Sequence, residues 1–275
     1  MTPTACQRWR DRRGSYRPAG EPIDPSKYAV EVVRESEARA FVQRHHYSGS
    51  FPAARTSVGL WRSRGAMWAP ELVGVAVFSV CIQPRAIAKW CGTPDGVELG
   101  RFVLLDDVPA NGETWFLRRA FGVMRAELQD VRAVLAYSDP VPRASVSGDV
   151  VLPGHVGTIY QAFNGRYVGR SGKRRLILDP SGRVVSGRAL SKIRLGEVGA
   201  DYAAAQLVKA GAPRQRPGES GAAWVTRALA EGPFRSINHP GNFAYTWPLT
   251  SDVVVPVAAG PYPKRHDAAV PVVAA

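Results

Sequence analysis

Three short stretches carry histidine, tyrosine, arginine and carboxylate side chains where helices and strands are expected to end. They are residues 45–52, residues 98–101 continued by 111–117, and residues 137–139 continued by 154–164. Side chains of these types transfer protons, orient polar substrates or bind metals. Because functional groups of α/β sheets gather at the ends of elements, these stretches are the first candidates for a catalytic site.

Asp139 is the leading candidate for a general base or a substrate-orienting group. It follows an apolar segment, 131–137, that is predicted to form a buried strand, and Ser138 lies beside it. The ends of such strands are where open α/β sheets carry functional side chains. The structural alternative is a turn, because aspartate before a residue such as Pro140 is common in turns.

His46 and Tyr47 stand at the predicted end of a helix whose apolar face includes His45. His45 is therefore predicted to pack, and His46 is the candidate for acid–base or metal chemistry. His155 and Tyr160 follow a loop rich in proline, glycine and serine, so they could close over the same site. Histidine, aspartate and tyrosine could also hold iron, but their spacing does not single out a metal.

Arg101 interrupts an otherwise apolar predicted strand. A buried guanidinium needs an anionic partner, which is either Glu98 or, as we favour, a bound group. The next helix begins at Asn111 and Gly112, which can be a simple cap. The alternative is an anion site for a cofactor, completed by Thr114.

The net charge points to a polyanionic partner. The 275 residues include 36 Lys and Arg against 23 Asp and Glu, a formal charge of +13. Such a surplus favours nucleic acid, because neutralised phosphates release counterions, although a generally arginine-rich proteome is the alternative. Residues 166–194 contain nine basic side chains and a single acidic one, Asp179. The predicted DNA contacts are Arg166, Arg170, Lys173, Arg174, Arg175, Arg188, Lys192 and Arg194.

The predicted elements describe an α/β fold with a mixed central sheet flanked by helices. They run strand, helix, three strands, helix, strand, helix, strand, which is the order of the GNAT acyltransferase superfamily. A turn at Asp179 predicts a basic hairpin, and helices are expected over 202–209 and 222–230. The expected organisation is a flexible basic arm (1–22), a GNAT-like catalytic domain (23–195) and a partly helical C-terminal extension with a loose tail (196–275).

The three polar stretches resemble the Mom family of phage DNA adenine modification proteins. The resemblance rests on the segments HYS, ELGR…NGETWFL and YSD…GHVGTIYQAFN, and it covers about residues 28–195 and the aromatic segment 242–247. It implies a GNAT-like fold and the addition of a carbamoylmethyl (acetamido) group to N6 of adenine. It further implies protection of phage DNA from host restriction, and a bound iron.

Adenine N6 is a poor nucleophile because its lone pair is shared with the ring. A carboxylate that accepts its hydrogen bond, predicted to be Asp139, would raise its reactivity. The base has to leave the duplex to be reached, and Tyr47, Tyr160 or Phe163 could stack on it. The group donor is an unidentified small molecule. The chain lacks the paired glycines of an acyl-CoA loop and carries aspartates at 106–107, which argues against ordinary acyl-CoA binding.

Three other functions are compatible with parts of the sequence. A GNAT acyltransferase acting on a protein or small-molecule amine is disfavoured by the missing glycine loop. An N6-adenine methyltransferase is rejected, because Val141 and Pro142 break its motif and no Phe-x-Gly-x-Gly loop precedes it. A non-catalytic DNA-binding protein would explain the charge but not the three polar stretches.

The sequence favours a cytoplasmic protein, in the host cell if the gene is phage-borne. It has no run of about 18 apolar residues, so no membrane span is expected, and its start lacks the apolar core of a secretory signal. Its three cysteines, Cys6, Cys81 and Cys91, are too few and scattered for a disulfide framework. The expected partners are double-stranded DNA, the donor and, as an option, a second copy in a homodimer.

Overall fold

The structure, a computed structural model, describes residues 5–10, 13–18 and 21–264. Its helices are α1 (Glu35–His45), α2 (Pro84–Cys91), α3 (Gly112–Glu127), α4 (Thr158–Ala162), α5 (Gly187–Leu195), α6 (Ala200–Lys209) and α7 (Gly221–Glu231). Its strands are β1 (Ala5–Arg10), β2 (Arg13–Pro18), β3 (Tyr28–Val32), β4 (Ala54–Arg62), β5 (Glu71–Ser79), β6 (Gly96–Leu104), β7 (Ala133–Ser138), β8 (Arg143–Ala144), β9 (Val150–Leu152), β10 (Arg166–Arg170), β11 (Arg174–Leu178), β12 (Arg235–His239) and β13 (Phe243–Pro248). Across these residues, no helix has the length and hydropathy of a membrane span.

The chain forms two compact units, and it passes between them more than once. Of the described residues, the first unit takes those up to Pro140, Gly154–Ser171 and those from Gly241 onward. The second unit consists of Val141–Pro153 and Gly172–Pro240. The chain therefore leaves the first unit twice and returns to it twice.

A seven-stranded mixed sheet is the centre of the first unit, in the order β10-β13-β7-β6-β5-β4-β3. Helix α3 packs on one face because its apolar residues recur three and four positions apart: Phe116, Leu117, Ala120, Phe121 and Met124. Helix α1 buries Ala38, Phe41 and Val42 against the other face. Strand β5 is almost wholly buried, as a strand covered on both faces should be.

The second unit has a helical core. Helices α5, α6 and α7 pack around Trp224, which is fully buried and donates its indole N–H to the Pro213 carbonyl oxygen at 2.8 Å. Two short antiparallel pairs, β8–β9 and β11–β12, complete the unit.

The predicted fold class, a mixed central sheet flanked by helices, is confirmed. The division of the chain differs from the predicted boundaries at 22 and 195, because β13 lies inside the sheet between β10 and β7. The turn at Asp179 is present, with one bridge between Leu178 and Val184, but the main partner of β11 is β12. Within the predicted basic arm, β1 and β2 form an antiparallel pair that the sequence analysis did not predict.

Candidate active site

Strands β6 and β7 separate partway along the sheet. They run parallel and are paired over three residues, ending with Glu98 opposite Leu135. Beyond that point β6 continues only beside β5, and β7 continues to Ser138 only beside β13. The interruption lies where two of the polar stretches of the sequence meet the sheet.

A β-bulge places Glu98 and Arg101 on the same face of β6. The ladder to β5 passes from Leu99 to Arg101 and leaves Gly100 without a partner. Leu99 and Phe102 both pack in the core beneath α3, so Glu98 and Arg101 face the other side. In a regular strand, residues three apart point to opposite faces, and only the extra residue of the bulge brings these two together.

The loop after α1 holds Arg101. Its Nε donates to the Ser50 carbonyl oxygen at 2.9 Å, and its Nη2 donates to the Ser50 hydroxyl oxygen at 2.8 Å. Burial lowers the pKa of Arg101, and the nearby Tyr47, Glu98 and Tyr160 offset part of that shift. A guanidinium held by neutral hydrogen-bond partners can receive an anionic group of a substrate.

Glu98 is a buried acidic group of this site. Burial raises its pKa, while a hydrogen bond from the Cys81 thiol and the charge of Arg101 lower it. Burial and the neighbouring carboxylate raise the pKa of Cys81 to about 12. Cys81 is therefore a neutral donor at physiological pH and not a reactive thiolate.

His46 is a buried, neutral histidine at the end of α1. Its Nδ1 accepts the backbone N–H of Ser48 at 3.2 Å and lies 2.9 Å from the Ser48 hydroxyl oxygen. The ring proton is thereby assigned to Nε2. Burial, and then the charges of Arg101 and His155, lower the pKa of His46 well below its usual 6.5.

The buried His46 should make folding stability depend on pH. In the unfolded chain it takes up a proton as the pH falls below 6.5, whereas in the folded protein it resists protonation. The free-energy cost of keeping His46 neutral in the folded protein is thus absent above that pH and grows below it, to about 1 kcal/mol at pH 5.5. Urea unfolding at pH 7.5 and 5.5 should show that the free energy of unfolding of His46→Gln falls by about 1 kcal/mol less than that of the wild type over this interval. Equal losses would show that His46 is protonated normally in the folded state.

Tyr47 links the loop after α1 to the chain around α4. Its ring centroid lies 4.1 Å from that of His46 and 6.2 Å from that of His155. The His155 ring lies 6.5 Å from Tyr160, which lies 5.6 Å from Tyr245 of β13. Burial raises the pKa of Tyr160, and it raises that of Tyr245 to about 12, so both phenols are neutral.

Ser138 ends β7, and Asp139 follows it next to the loop that carries His155. The backbone N–H of His155 donates to the Asp139 carbonyl oxygen at 2.8 Å. This hydrogen bond connects the two ends of the first-unit chain on either side of Val141–Pro153, which belongs to the second unit. Gly157 follows with φ 77°, and a Cβ there would lie 2.7 Å from the Tyr245 ring. Only glycine allows this turn and this close approach.

The structure thus brings most of the predicted catalytic residues into one neighbourhood. His46, Tyr47, Arg101, His155 and Tyr160 lie together, and Ser138 and Asp139 end the adjoining strand. The proposed cofactor residues are placed differently, at the start of α3. Gly112 is buried there, while Asn111 and Thr114 line a surface groove. Asn111 is the N-cap residue of α3, with φ 62°; its side chain makes no capping hydrogen bond, and its carbonyl oxygen accepts the Trp115 N–H at 3.0 Å.

The predicted DNA contacts are divided between the two units. Arg166 and Arg170 lie on β10 of the first unit, and the other six lie in the second unit. Helix α5, which the sequence analysis did not predict, carries Arg188 and Lys192 together with Arg194. Arg188 is paired with Glu197 at 2.5 Å. A role in DNA binding remains a prediction for all eight.

Sequence reasoning missed the groups that support the site. Ser50 holds Arg101, and Gln161 donates through Nε2 to the Val156 carbonyl oxygen and the Tyr245 hydroxyl, each at 3.0 Å. Gln161 lies within a recognised segment, but its partner is more than 80 positions away along the chain. No local pattern could have identified that contact.

A bound iron stays a prediction of the family resemblance. Within the described ranges, no three His, Cys, Asp or Glu side chains come together in a way that could hold a metal ion. Arg101 places a positive charge beside His46. We therefore derive no chemical step through iron.

Comparisons with known proteins identify the family. The model of the Mom protein family matches residues 27–219. No curated protein matches the chain. Among solved structures, the chain is similar to a tandem GNAT protein from the clavulanic acid biosynthesis pathway, without acetyl-CoA, at 11% identity and a TM-score of 0.33. The match covers 77% of this chain and 74% of that one.

Proposed function

This chain belongs to the Mom protein family of phage DNA-modification proteins, and we propose that it adds a carbamoylmethyl (acetamido) group to N6 of adenine. The modified phage DNA would then resist host restriction enzymes. The reaction takes place in the host cytoplasm and uses double-stranded DNA and a small-molecule donor. The supporting observation is the convergence of residues of all three polar stretches, Tyr47, Arg101 and His155 among them, where β6 and β7 separate; residues 111–114 lie apart from it.

Each group at this place has a role in the proposed reaction. Asp139 accepts the hydrogen bond of the N6 amine and then its proton, while a bond forms between N6 and the methylene carbon of the donor and the leaving group departs. Ser138 and His155 position this end of the strand. Arg101 binds the polar or anionic part of the donor and stabilises charge on the leaving group.

The aromatic side chains supply the surface for the extruded base. Tyr47 and Tyr160 both lie near His155, and they flank the adenine once it has left the duplex. His46 is neutral and buried behind Tyr47, so it orients that ring rather than carrying charge. The raised pKa of Tyr160 keeps its phenol protonated, able to donate one hydrogen bond to the base.

Mass spectrometry of nucleosides tests the proposal. Plasmid DNA from cells that express the wild type should contain deoxyadenosine carrying one carbamoylmethyl group. Arg101→Gln should lower its yield about a hundredfold, because the site loses its cationic donor. Arg55→Gln, which removes only a surface ion pair with Asp130, is the matched control and should modify normally. Unmodified DNA at full expression, with acetyl-CoA bound instead, would favour an acyltransferase.

A further inference from the structure

A long groove runs over α3 on the first unit. It has a volume of about 1240 Å³, and its lining includes Tyr28, Trp115, Arg118, Arg119 and Asn164. A second opening of about 600 Å³ shares Asn164 and is lined further by Arg166, Thr250 and Ser251. Asn164, which lines both openings, follows shortly after α4, the helix that carries Tyr160.

The groove is electropositive. Arg118, Arg119 and Arg166 are exposed, and none of them pairs with a carboxylate in the part of the chain that is described. Arg62 and Arg132 of the same unit, by contrast, are each paired with two carboxylates. Neither opening has Asp or Glu among its described lining residues. The charge is thus available to an anion.

Aromatic side chains lie among these arginines. The guanidinium of Arg119 stacks on the Trp115 ring at 3.9 Å, and Tyr28 meets the same indole edge-on at 6.3 Å. Alternation of exposed arginines with aromatic faces is the pattern of sites that follow a single nucleic-acid strand, where bases stack and phosphates are neutralised.

We propose that this groove binds a single-stranded segment of DNA, with Trp115 stacking on a base and Arg118, Arg119 and Arg166 contacting phosphates. The two openings together exceed the roughly 300–1,000 Å³ of a small-molecule pocket and are open along their length. This inference rests on the proposed function in one respect, that the strand is the one flanking the extruded adenine. Binding itself requires no chemistry.

Fluorescence anisotropy with a labelled single-stranded oligonucleotide tests the groove directly. Substitution of both Arg118→Ala and Arg119→Ala should weaken binding about tenfold or more and reduce the salt slope by about 1.4, the value for two lost phosphate contacts. Arg125→Ala is the matched control, because this exposed arginine of α3 does not line the groove. Trp115→Leu, which retains an apolar side chain, should also weaken binding about tenfold. Thermal unfolding of each variant verifies that it is folded.

Photo-crosslinking distinguishes this groove from other basic surfaces. An oligonucleotide containing 5-iododeoxyuridine should crosslink to the peptide that carries Trp115. Wild-type affinity of the double variant, crosslinks confined to other segments, or displacement of the strand by coenzyme A alone would each overturn the inference. Binding through the groove without any adenine mark in cells would refute the proposed function and leave the groove standing. Modified DNA in cells, together with unchanged oligonucleotide binding by the groove variants, would support the proposed function and refute the groove.

Discussion

Asp139→Asn is expected to abolish the adenine modification while leaving the protein folded. The amide has the shape of the carboxylate but cannot accept a proton from N6, and general-base groups contribute about 10²- to 10⁴-fold to rate. The backbone bond from His155 to residue 139 involves only the carbonyl group, so the variant retains it. Nucleoside mass spectrometry should therefore show a fall of at least about a hundredfold in modified deoxyadenosine.

The control for Asp139 is another aspartate of the same unit. Asp130→Asn removes an exposed carboxylate that pairs with Arg55, and such pairs contribute about 0–1 kcal/mol to stability. It should modify DNA at the wild-type level. A wild-type level of modification by Asp139→Asn would rule out the carboxylate as the base and reduce Asp139 to a turn residue before Pro140.

Trp224→Ala should destabilise the second unit by about 3–5 kcal/mol, the usual cost of removing a fully buried indole. Trp224 has no exposed surface, and its N–H satisfies the Pro213 carbonyl oxygen, which would lose its partner as well. Against a typical domain stability of about 5–15 kcal/mol, this loss is large enough to populate the unfolded form. Urea unfolding followed by circular dichroism measures the shift.

Tyr202→Ala is the matched comparison for Trp224. Tyr202 is an aromatic residue of the same unit with 71% of its surface exposed, so its removal should change stability by no more than about 0.5 kcal/mol. Similar unfolding curves for the two variants would contradict the assignment of Trp224 to the core.

The periodicity of apolar residues and the ends of apolar runs were sufficient to predict the helix and strand that border the site. Helix α3 has its apolar residues at helical spacing, and β7 is an unbroken apolar run that ends at a polar pair, so both were predictable. Helix α5 was not predictable, because basic residues dominate its sequence and its buried residues are only Leu190 and Ile193. The basic residues of this segment obscured the short apolar face that forms the helix.

The geometry around Arg101 could not be predicted, because it depends on pairing between strands. The bulge at Gly100 is a property of the ladder with β5, and a lone glycine in a strand is only a weak indication of it. A Cβ there would lie 2.4 Å from the Ser79 hydroxyl oxygen, a constraint that only the folded sheet reveals. The Ser50 contact is likewise formed between residues 51 positions apart.

The position of β13 has a consequence for folding during synthesis on the ribosome. This strand is synthesised after both of its neighbours, β7 and β10, yet it lies between them in the sheet. A nascent chain must therefore wait with two strand edges exposed while the second unit is translated, at about 5–20 residues per second. Exposed edges invite pairing with other chains. Slow translation, or a premature stop before residue 243, would thus lead to aggregation rather than to a smaller folded protein.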